Sequence, residues 1–366
     1  MIDAVETLVK FESPSSDKKL LDLLADHLQE RFGKLATDLV VFQQKEYGNQ
    51  IKVMFGSNEK NKSKDPVIIL CHYDTVWAEG TLKERPFQIK NGQAFGPGAL
   101  DMKGGIILVE YAFRAIQELD IQLPRPVILL LTGDEEIGSI TSRSIIEDVA
   151  KGASRALIPE APLPGGVLKT ARKGGARFVL NIKGKAAHSG VEPEKGISAV
   201  TELAHQILKI NLLCDLEKGT TLNVGVVEGG TKTNVIPPFA KADIDVRVWT
   251  ESEEKRITNA FSNLEPVNPK VKINVTGGFT RPPMERTEGI AKLFEFAKNI
   301  ANQIDLDLKE APTGGGSDGN FTAALGIPTL DGLGVVGDGV HADHEHFIVD
   351  SLPQRAALLT SLILAE

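Results

Sequence analysis

The sequence predicts an α/β fold: a mostly parallel sheet with helices on both faces, interrupted by a smaller inserted α+β domain. The chain has 366 residues, more than one hydrophobic core usually holds, so two domains are expected. Its first part alternates long apolar runs with segments of helical spacing, which is typical of parallel strands covered by helices. This alternation changes near residue 176 and returns after residue 281.

The elements of the first part are read from apolar periodicity. KKLLDLLADHLQERFGKL at 18–35 has helical spacing and follows the capping residues of SPSSD. Strands are predicted in TDLVVFQQ and QIKVMFG, and the polar run at 58–65 is typical of a solvated hairpin loop. The run PVIILCHY is apolar on both faces and predicts a buried strand. A helix at 102–119 and the strands RPVILLLTG and SRALIPE complete the pattern.

A different order of elements occupies residues 176–281. The segments ARFVLNIKGK, ISAVTELAHQILKI, TTLNVGVVEGG, FAKADIDVRVW, ESEEKRITNAFSNL and KVKINVTGGF read strand, helix, strand, strand, helix, strand. This is the split βαβ order of a ferredoxin-like domain. Helical sequence at 287–304 and 350–366 and a strand-like PTLDGLG follow it. We therefore predict a discontinuous main domain, 1–175 and 282–366, with an inserted domain at 176–281.

Composition limits the partners and the compartment. A net charge of −8 argues against nucleic acid or an anionic membrane as the main partner. The hydrophobic fraction of 42% and the charged fraction of 25% are typical of a soluble globular enzyme. No apolar run reaches membrane-spanning length, and the first residues lack the pattern of a secretory signal. The two cysteines, Cys71 and Cys214, lie far apart and are expected to be free thiols, which predicts the cytoplasm.

Residues that bind metals or protons stand where the first buried strand ends. His72 and Asp74 follow the apolar residues 66–70. Two residues apart in an extended strand, they point the same way, toward the carboxyl edge where open α/β sheets hold their ligands. A chance histidine at a solvated strand end is the alternative, and the rest of the chain has to decide between them.

Three further strand or loop ends carry carboxylates. Asp101 lies between the GPG turn and a helix start, where it could equally be a helix cap. Asp134, Glu135 and Glu136 follow the apolar run VILLL, and such adjacent charges need a cation unless the loop is solvated. Glu160 ends SRALIPE. Parallel strands bring these ends to one edge, and chance explains four such ends poorly.

The last candidate segment is GDGVHADHEHF at 337–347, which contains His341, His344 and His346. Clustered histidines favour metal binding, although spacing alone does not choose among the three. Nitrogen and oxygen donors without thiolates indicate a hydrolytic site for two cations. Zinc is the leading candidate, with manganese or cobalt as alternatives.

The chain resembles a known family through nine motifs that occur in that family's order. They are HYDTVW, GPGALDMKGG, DEEIGS, PE, KGKAAHSG, NVIPP, DIDVR, GGGSDGN and GVHADHE. The family is that of the co-catalytic zinc metallopeptidases, which includes glutamate carboxypeptidases of the carboxypeptidase G type, acetylornithine deacetylase, succinyl-diaminopimelate desuccinylase and peptidase T. The resemblance covers nearly the whole chain, and HYDTVWAEGTL and GGGSDGNFTAALGIPTLDGLG look most like the glutamate carboxypeptidase branch.

The resemblance implies a set of metal ligands. One ion would be bound by His72 and Glu160, a second by Glu136 and His341, and both by Asp101. His341 is favoured over the other histidines because it forms a His-x-x-x-Glu pattern with Glu345 that ends the family's motifs.

The resemblance also implies the catalytic residues. Glu135 would be the general base that takes a proton from a metal-bridging water and passes it to the leaving amine. Asp74 would orient His72. His188 would reach the active site of the opposite subunit, in a homodimer formed through the inserted domain, and polarise the scissile carbonyl. Without the resemblance, His188 reads as a hairpin-loop histidine.

Substrate contacts are implied in the same way. The candidates that match substrate-gripping positions, or lie in the GGGSD loop, are Asn234, Arg247, Arg281, Lys173, Gly315 and Ser317. Arginine binds carboxylates through its planar fork, although each basic residue would otherwise read as a charge at a strand edge.

The expected function is hydrolysis of an amide bond next to a free amino-acid carboxylate, as in a glutamate carboxypeptidase acting on small peptides or N-acyl amino acids. An N-acyl-amino-acid deacylase is the alternative enzyme. A silent amino-acid-binding relative and a metal-stabilised structural protein are the alternatives outside catalysis, and the presence of every ligand position and of Glu135 disfavours both. Ala78 and Met102 depart from residues frequent in the family and loosen only the substrate assignment.

Overall fold

The structure is a computed structural model that describes residues 1–366. The helices are α1 (Ile2–Lys10), α2 (Lys18–Gly33), α3 (Thr81–Glu84), α4 (Gly104–Glu118), α5 (Arg143–Ala150), α6 (Ala199–Asn211), α7 (Glu251–Ser262), α8 (Glu288–Asn302), α9 (Gly319–Ala324) and α10 (Ser351–Leu364). The strands are β1 (Asp38–Phe42), β2 (Gln50–Phe55), β3 (Val67–His72), β4 (Gln88–Lys90), β5 (Gln93–Phe95), β6 (Val127–Thr132), β7 (Arg155–Ile158), β8 (Leu168–Arg172), β9 (Gly174–Lys183), β10 (Thr221–Gly229), β11 (Phe239–Val248), β12 (Lys272–Arg281), β13 (Glu310–Thr313), β14 (Thr329–Asp331), β15 (Gly337–Asp338) and β16 (His346–Ile348).

The chain forms two units. Unit 1 contains Met1–Ala171, Arg286–Thr313 and Ser317–Glu366, and unit 2 contains Arg172–Glu285 and Gly314–Gly316. The assignment of residues 1–175 with 282–366 to one domain, and of residues 176–281 to another, stays a prediction. No helix of the protein is both long enough and apolar enough to cross a membrane.

An eight-stranded sheet, in the order β1-β2-β6-β3-β7-β14-β8-β13, forms the centre of unit 1. Strand β3 runs parallel to both β6 and β7, and β14 runs parallel to β7. Antiparallel pairs lie toward the edges, at β1–β2 and β14–β8. The predicted α/β class is confirmed, and the three central parallel strands end at a common edge.

Helices cover both faces of this sheet because the side chains of each strand alternate between the faces. On β3, Val67, Ile69 and Cys71 pack into a large core shared with α1, α2, α4, α8 and α10. Ile68 and Leu70 point the other way, into a smaller core with α5 and α9. All six residues of β3 are buried, as expected for a strand that is apolar on both faces.

Two helix starts were predicted with different success. Helix α2 begins where SPSSD predicts it, since the Asp17 carboxylate accepts a hydrogen bond from the Leu20 backbone N–H at 3.1 Å. Helix α4 begins at Gly104, and no side chain caps it, so the capping role considered for Asp101 is wrong. Helix α1, with buried Val5 and Leu8, was not predicted.

Unit 2 has the predicted order of strands and helices, β9-α6-β10-β11-α7-β12. Its antiparallel sheet has the spatial order β10-β11-β9-β12, the arrangement of a ferredoxin-like domain. Alternate residues of β9, including Phe178, Leu180 and Ile182, pack with residues of α6 and α7 in a separate core. Strand β10 pairs only with β11 and leaves one edge open.

Glycine at the start of α4 allows the helix to approach the end of β7. A Cβ at Gly105 would collide with the backbone oxygen of Pro159, directly before Glu160. We predict that Gly105→Ala lowers the free energy of unfolding by about 1–3 kcal/mol, because overpacking forces backbone shifts. Denaturant titration would measure it. Gly33→Ala is the control, since nothing lies within 4 Å of its Cβ, and an equal loss in both variants would contradict the steric cause.

Candidate metal centre

His72 is the last residue of β3, and its buried imidazole faces two carboxylates of unit 1. Its Nε2 lies 3.0 Å from Oδ1 of Asp101 and 3.4 Å from Oε1 of Glu160. Its Nδ1 lies 3.0 Å from the backbone oxygen of Asp74. A ring nitrogen that donates to this carbonyl fixes the tautomer and leaves Nε2 to bind an ion.

The Asp74 carboxylate has a wider role than the predicted orientation of His72. It lies 3.5 Å from Nδ1 of His72, farther than its own backbone oxygen. Its two oxygens accept hydrogen bonds from the backbone N–H groups of Glu135 at 3.2 Å and Glu136 at 3.1 Å. The Ser15 hydroxyl donates to it at 2.7 Å. Asp74 therefore fixes the backbone that carries both glutamates, a contact that the sequence did not reveal.

Asp101 lies between two groups of donors. Its Oδ1 faces His72, and its Oδ2 lies 3.3 Å from Nε2 of His341. The same His341 nitrogen lies 3.1 Å from Oε2 of Glu136. One group therefore contains His72 and Glu160, the other contains Glu136 and His341, and a different oxygen of Asp101 faces each.

Glu160 owes its position to close backbone packing. It follows the buried strand β7, and its backbone oxygen accepts a hydrogen bond from the N–H of Gly334 at 2.8 Å. A Cβ at Gly334 would lie 2.6 Å from that same oxygen, so only glycine permits the approach. Gly334, the last residue of the PTLDGLG segment, thereby helps to bring Glu160 to His72.

The donor atoms fit metal ions. Ligand atoms of His72, Asp101 and Glu136, and those of His72, Glu135 and Glu160, lie within 4.8 Å of one another. Oε1 of Glu136 is buried and has no hydrogen-bond partner, which leaves a lone pair available for a cation. Nitrogen and oxygen donors without sulfur fit zinc, manganese or cobalt.

The ionisation of these groups reflects the concentration of negative charge. Burial opposes ionisation of Asp101, but contacts with His341 and His72 outweigh it and hold the pKa of Asp101 well below its usual range. Burial raises the pKa of Glu136 to about 7. Contacts with Asp101 and Glu136 raise the pKa of His341 to about 10. His341 is therefore protonated at neutral pH, and its positive charge lies next to the carboxylates of Asp101 and Glu136. A metal ion bound here would displace that proton.

The three histidines of this segment lie in different environments, and His344 is exposed. His341 joins the carboxylates, and half of its side chain is exposed, whereas the other proposed ligands are nearly buried. His346 instead hydrogen-bonds the backbone oxygen of His344 and the amide of Gln93. Only His341 of the three therefore lies in the donor set, and its exposed side marks where solvent reaches that set.

The predicted substrate residues of unit 2 lie in several environments. His188 is exposed, and its Nδ1 accepts a hydrogen bond from the N–H of Gly190 at 3.1 Å. Asn234 is exposed, and it directly precedes Val235, which forms an antiparallel bridge with His188. Arg247 donates two hydrogen bonds of 3.0 Å to the Asp245 carboxylate, while Arg281 is 9% exposed.

The remaining predicted contacts are Lys173, Gly315 and Ser317. The ammonium of Lys173 lies 5.3 Å from the centre of the Trp249 ring, a cation–π contact. The backbone oxygen of Gly315 accepts a hydrogen bond from Arg172. The Ser317 hydroxyl is buried in unit 1 and donates to Asp331 at 2.6 Å. Their roles toward a substrate stay predictions.

An α/β sheet with nitrogen and oxygen donors collected at its carboxyl edge is typical of metal-dependent hydrolases. The sequence matches the family model described as "Peptidase family M20/M25/M40" over residues 68–365. The chain therefore belongs to this family of metallopeptidases and amidohydrolases.

Similar proteins span nearly the full chain. Carboxypeptidase G2 from Pseudomonas sp. (strain RS-16) is 28% identical over 372 residues, covering 100% of this chain and 88% of that protein. Succinyl-diaminopimelate desuccinylase from Dechloromonas aromatica (strain RCB) is 26% identical over 318 residues, covering 81% of this chain and 83% of that protein. The crystal structure of aminopeptidase PepT from Bacillus cereus ATCC 10987 has a similar fold, with a TM-score of 0.78, 23% identity and coverage of 99% and 96%.

Proposed function

We propose that the protein is a carboxypeptidase that hydrolyses the amide bond next to a free amino-acid carboxylate, as a glutamate carboxypeptidase does, with two zinc ions per chain. The observation that carries the proposal is the position of Asp101, with one oxygen toward His72 and the other toward His341. A carboxylate between two donor groups is the arrangement that bridges paired ions in hydrolases. Manganese or cobalt would fit the same donors.

The proposed ligands act as two sets. His72, Asp101 and Glu160 would hold one ion, and Asp101, Glu136 and His341 would hold the other. The ions, when bound, supply positive charge that polarises a carbonyl and promotes ionisation of water. Burial of the ligands other than His341 strengthens this electrostatic effect, because less water competes with them.

Glu135 is the proposed general base. It belongs to the loop held by the Asp74 carboxylate and lies with His72 and Glu160 in one cluster of donor atoms. Its carboxylate would take a proton from the attacking water and deliver it to the leaving nitrogen. A neighbouring glutamate, Glu136, is already used as a ligand in this proposal, so two adjacent residues divide proton transfer and metal binding between them.

A free carboxylate on the substrate would be bound by basic residues of unit 2. Arg247 and Arg281 are the candidates because the planar fork of arginine can hold a carboxylate through two hydrogen bonds; Arg281 is 9% exposed, and Arg247 already donates to Asp245. Similarity to carboxypeptidase G2 favours release of a C-terminal amino acid. Similarity to a desuccinylase keeps an N-acyl-amino-acid deacylase as the alternative, since that reaction also cleaves an amide bond.

A homodimer through unit 2 is part of the proposal, because His188 is assigned to the opposite subunit. Strand β10 has one unpaired edge and exposes Val226 and Val227. Helix α6 and the segment after it expose Leu208, Leu212 and Leu216. An apolar open edge of this length promotes association unless another chain covers it.

Both cysteines are free, in keeping with a reducing cytoplasmic location.

The substrate class is tested with purified protein loaded with zinc, manganese or cobalt and offered N-acyl and peptidyl amino acids. We expect two ions per chain and release of C-terminal glutamate. Release of a different amino acid from N-acyl substrates would favour the deacylase instead. Absence of metal binding under all three conditions would contradict the proposed site.

Substitution of the two adjacent glutamates tests proton transfer and metal binding separately. We predict that Glu135→Gln keeps two bound ions and lowers kcat at least about 100-fold, because the amide cannot accept the proton. Glu136→Gln is the matched variant and should lower metal content as well, because it removes a ligand. Metal analysis and steady-state kinetics measure both effects. Near-normal turnover of Glu135→Gln would place the base elsewhere.

The assignment of His188 to the opposite subunit predicts complementation. Neither His188→Ala nor Glu135→Gln alone should be active, but a purified heterodimer of the two should regain about half of the wild-type activity, because one site combines both intact residues. Differently tagged chains allow that heterodimer to be isolated. An inactive heterodimer would mean that His188 acts within its own chain, and loss of metal from His188→Ala would contradict its role.

A further inference from the structure

A buried carboxylate in unit 1 lies in one metal-ligand segment and contacts two others without being a proposed ligand. Glu345 is 1% exposed. Its Oε2 accepts hydrogen bonds from Nε1 of Trp77 at 2.7 Å and from the backbone N–H of Gly98 at 2.9 Å. Its Oε1 accepts hydrogen bonds from the backbone N–H groups of Leu100 at 2.9 Å and Asp101 at 3.2 Å.

These four donors use the acceptor capacity of the carboxylate, which has about four lone-pair sites. A carboxylate that is saturated in this way has no oxygen left for a metal ion. Glu345 therefore differs from Glu136, whose Oε1 is buried without a partner. It acts on the site through the segments that it holds.

Each of those segments carries a proposed ligand. Trp77 lies in the segment that follows His72 at the end of β3. The N–H groups at positions 98, 100 and 101 belong to the loop that presents Asp101. Glu345 itself lies four residues after His341. One side chain therefore connects the His72 segment, the bridging carboxylate and the exposed histidine.

The segment that carries His341 needs such support because its backbone is strained. His341 has a φ of 61°, in the left-handed region that side chains with a Cβ rarely adopt. The turn begins at Gly339, where a Cβ would lie 2.9 Å from the backbone nitrogen of Glu345. This conformation persists only where surrounding contacts hold it.

A second contact fastens the same segment to Trp77. The guanidinium of Arg85 lies 4.1 Å from the centre of the Trp77 ring and donates a hydrogen bond to the backbone oxygen of Ala342 at 3.3 Å. Trp77 thus contacts the His341 segment in two ways, through its N–H to Glu345 and through its ring to Arg85. The Glu345 carboxylate is the only one of these groups that also holds the Asp101 loop.

We propose that Glu345 is a positioning residue that sets the spacing between Asp101 and His341 and so determines how tightly the second metal ion is held. This inference rests on the two-ion site of the proposed function. Residues that orient metal ligands typically change metal affinity about 10–100-fold when they are substituted. The ion held by His72 and Glu160 depends less on Glu345, because β3 and β7 fix those two residues.

The test is Glu345→Gln, which keeps the shape of the side chain. Its amide NH₂ cannot accept a hydrogen bond, so two of the four N–H donors face another donor. We expect the second Zn²⁺ to bind about 10–100-fold more weakly, with a smaller effect on the first Zn²⁺. Calorimetric titration of the metal-free protein with Zn²⁺ measures both steps, and the Co²⁺ absorption spectrum reports the coordination of the second ion.

Glu202→Gln is the matched control for a structural effect. Glu202 is also buried and accepts hydrogen bonds from the backbone N–H groups of Val267 and Asn268, but it lies in unit 2. We expect it to lower the Tm of the metal-free protein without changing either Zn²⁺ affinity. Trp77→Phe removes only one donor to Glu345, should weaken the second Zn²⁺ by less than Glu345→Gln, and serves if Glu345→Gln fails to fold.

Three outcomes would overturn the inference. Unchanged affinity for the second Zn²⁺ in Glu345→Gln, or in Trp77→Phe where Glu345→Gln does not fold, would mean that the spacing does not depend on Glu345. Equal weakening of both ions would indicate general disruption. Failure of the wild-type chain to bind two ions would overturn the proposed function together with this inference, whereas the first two results leave the two-ion site intact.

Discussion

The constraint on which the site depends is the repulsion among carboxylates at the carboxyl edge of one sheet. The parallel register of β6, β3 and β7 brings the residues after Thr132, His72 and Ile158 to the same edge. The loop that carries Asp101 adds another carboxylate to those of Glu136 and Glu160. Protons on the two imidazoles reduce this repulsion in the metal-free chain, and cations would reduce it further. The negative charge collected at this edge therefore favours cations in general, independently of the detailed geometry of the ligands.

The remainder of unit 1 keeps these charges at fixed positions through neutral hydrogen-bond donors. The Asp74 carboxylate binds the backbone of Glu135 and Glu136, and the Glu345 carboxylate binds the backbone of the Asp101 loop. Both of these buried carboxylates are stabilised by backbone N–H groups. This arrangement orders the loops without adding positive groups that would compete with a metal ion.

The sequence predicted the parts of the structure that depend on local patterns. Apolar runs predicted β3, β6 and β7, and the polar residues after them predicted where His72, Glu135 and Glu160 would meet. The split βαβ order of unit 2 was predicted for the same reason, since each of its strands and helices has a clear local pattern. The contacts of Asp74 and Glu345 were not predicted, because their partners lie 61 and 244 residues away in sequence. Nothing in the local sequence specifies which N–H groups a buried carboxylate will meet. Helix α1 was missed because it has only nine residues and no capping side chain marks its start.

The alternation of side chains along β3 also determines which kinds of donor atom the site contains. Cys71 immediately precedes His72, so a thiol and an imidazole stand side by side in the sequence. The pleat directs the Cys71 side chain into the large core, where burial raises the pKa of its thiol and keeps it neutral. A soft thiolate is thereby withheld from the donor set. What remains is a set of hard and borderline donors, which would suit several first-row divalent ions, so that the choice among them would depend on the supply of metal around the protein.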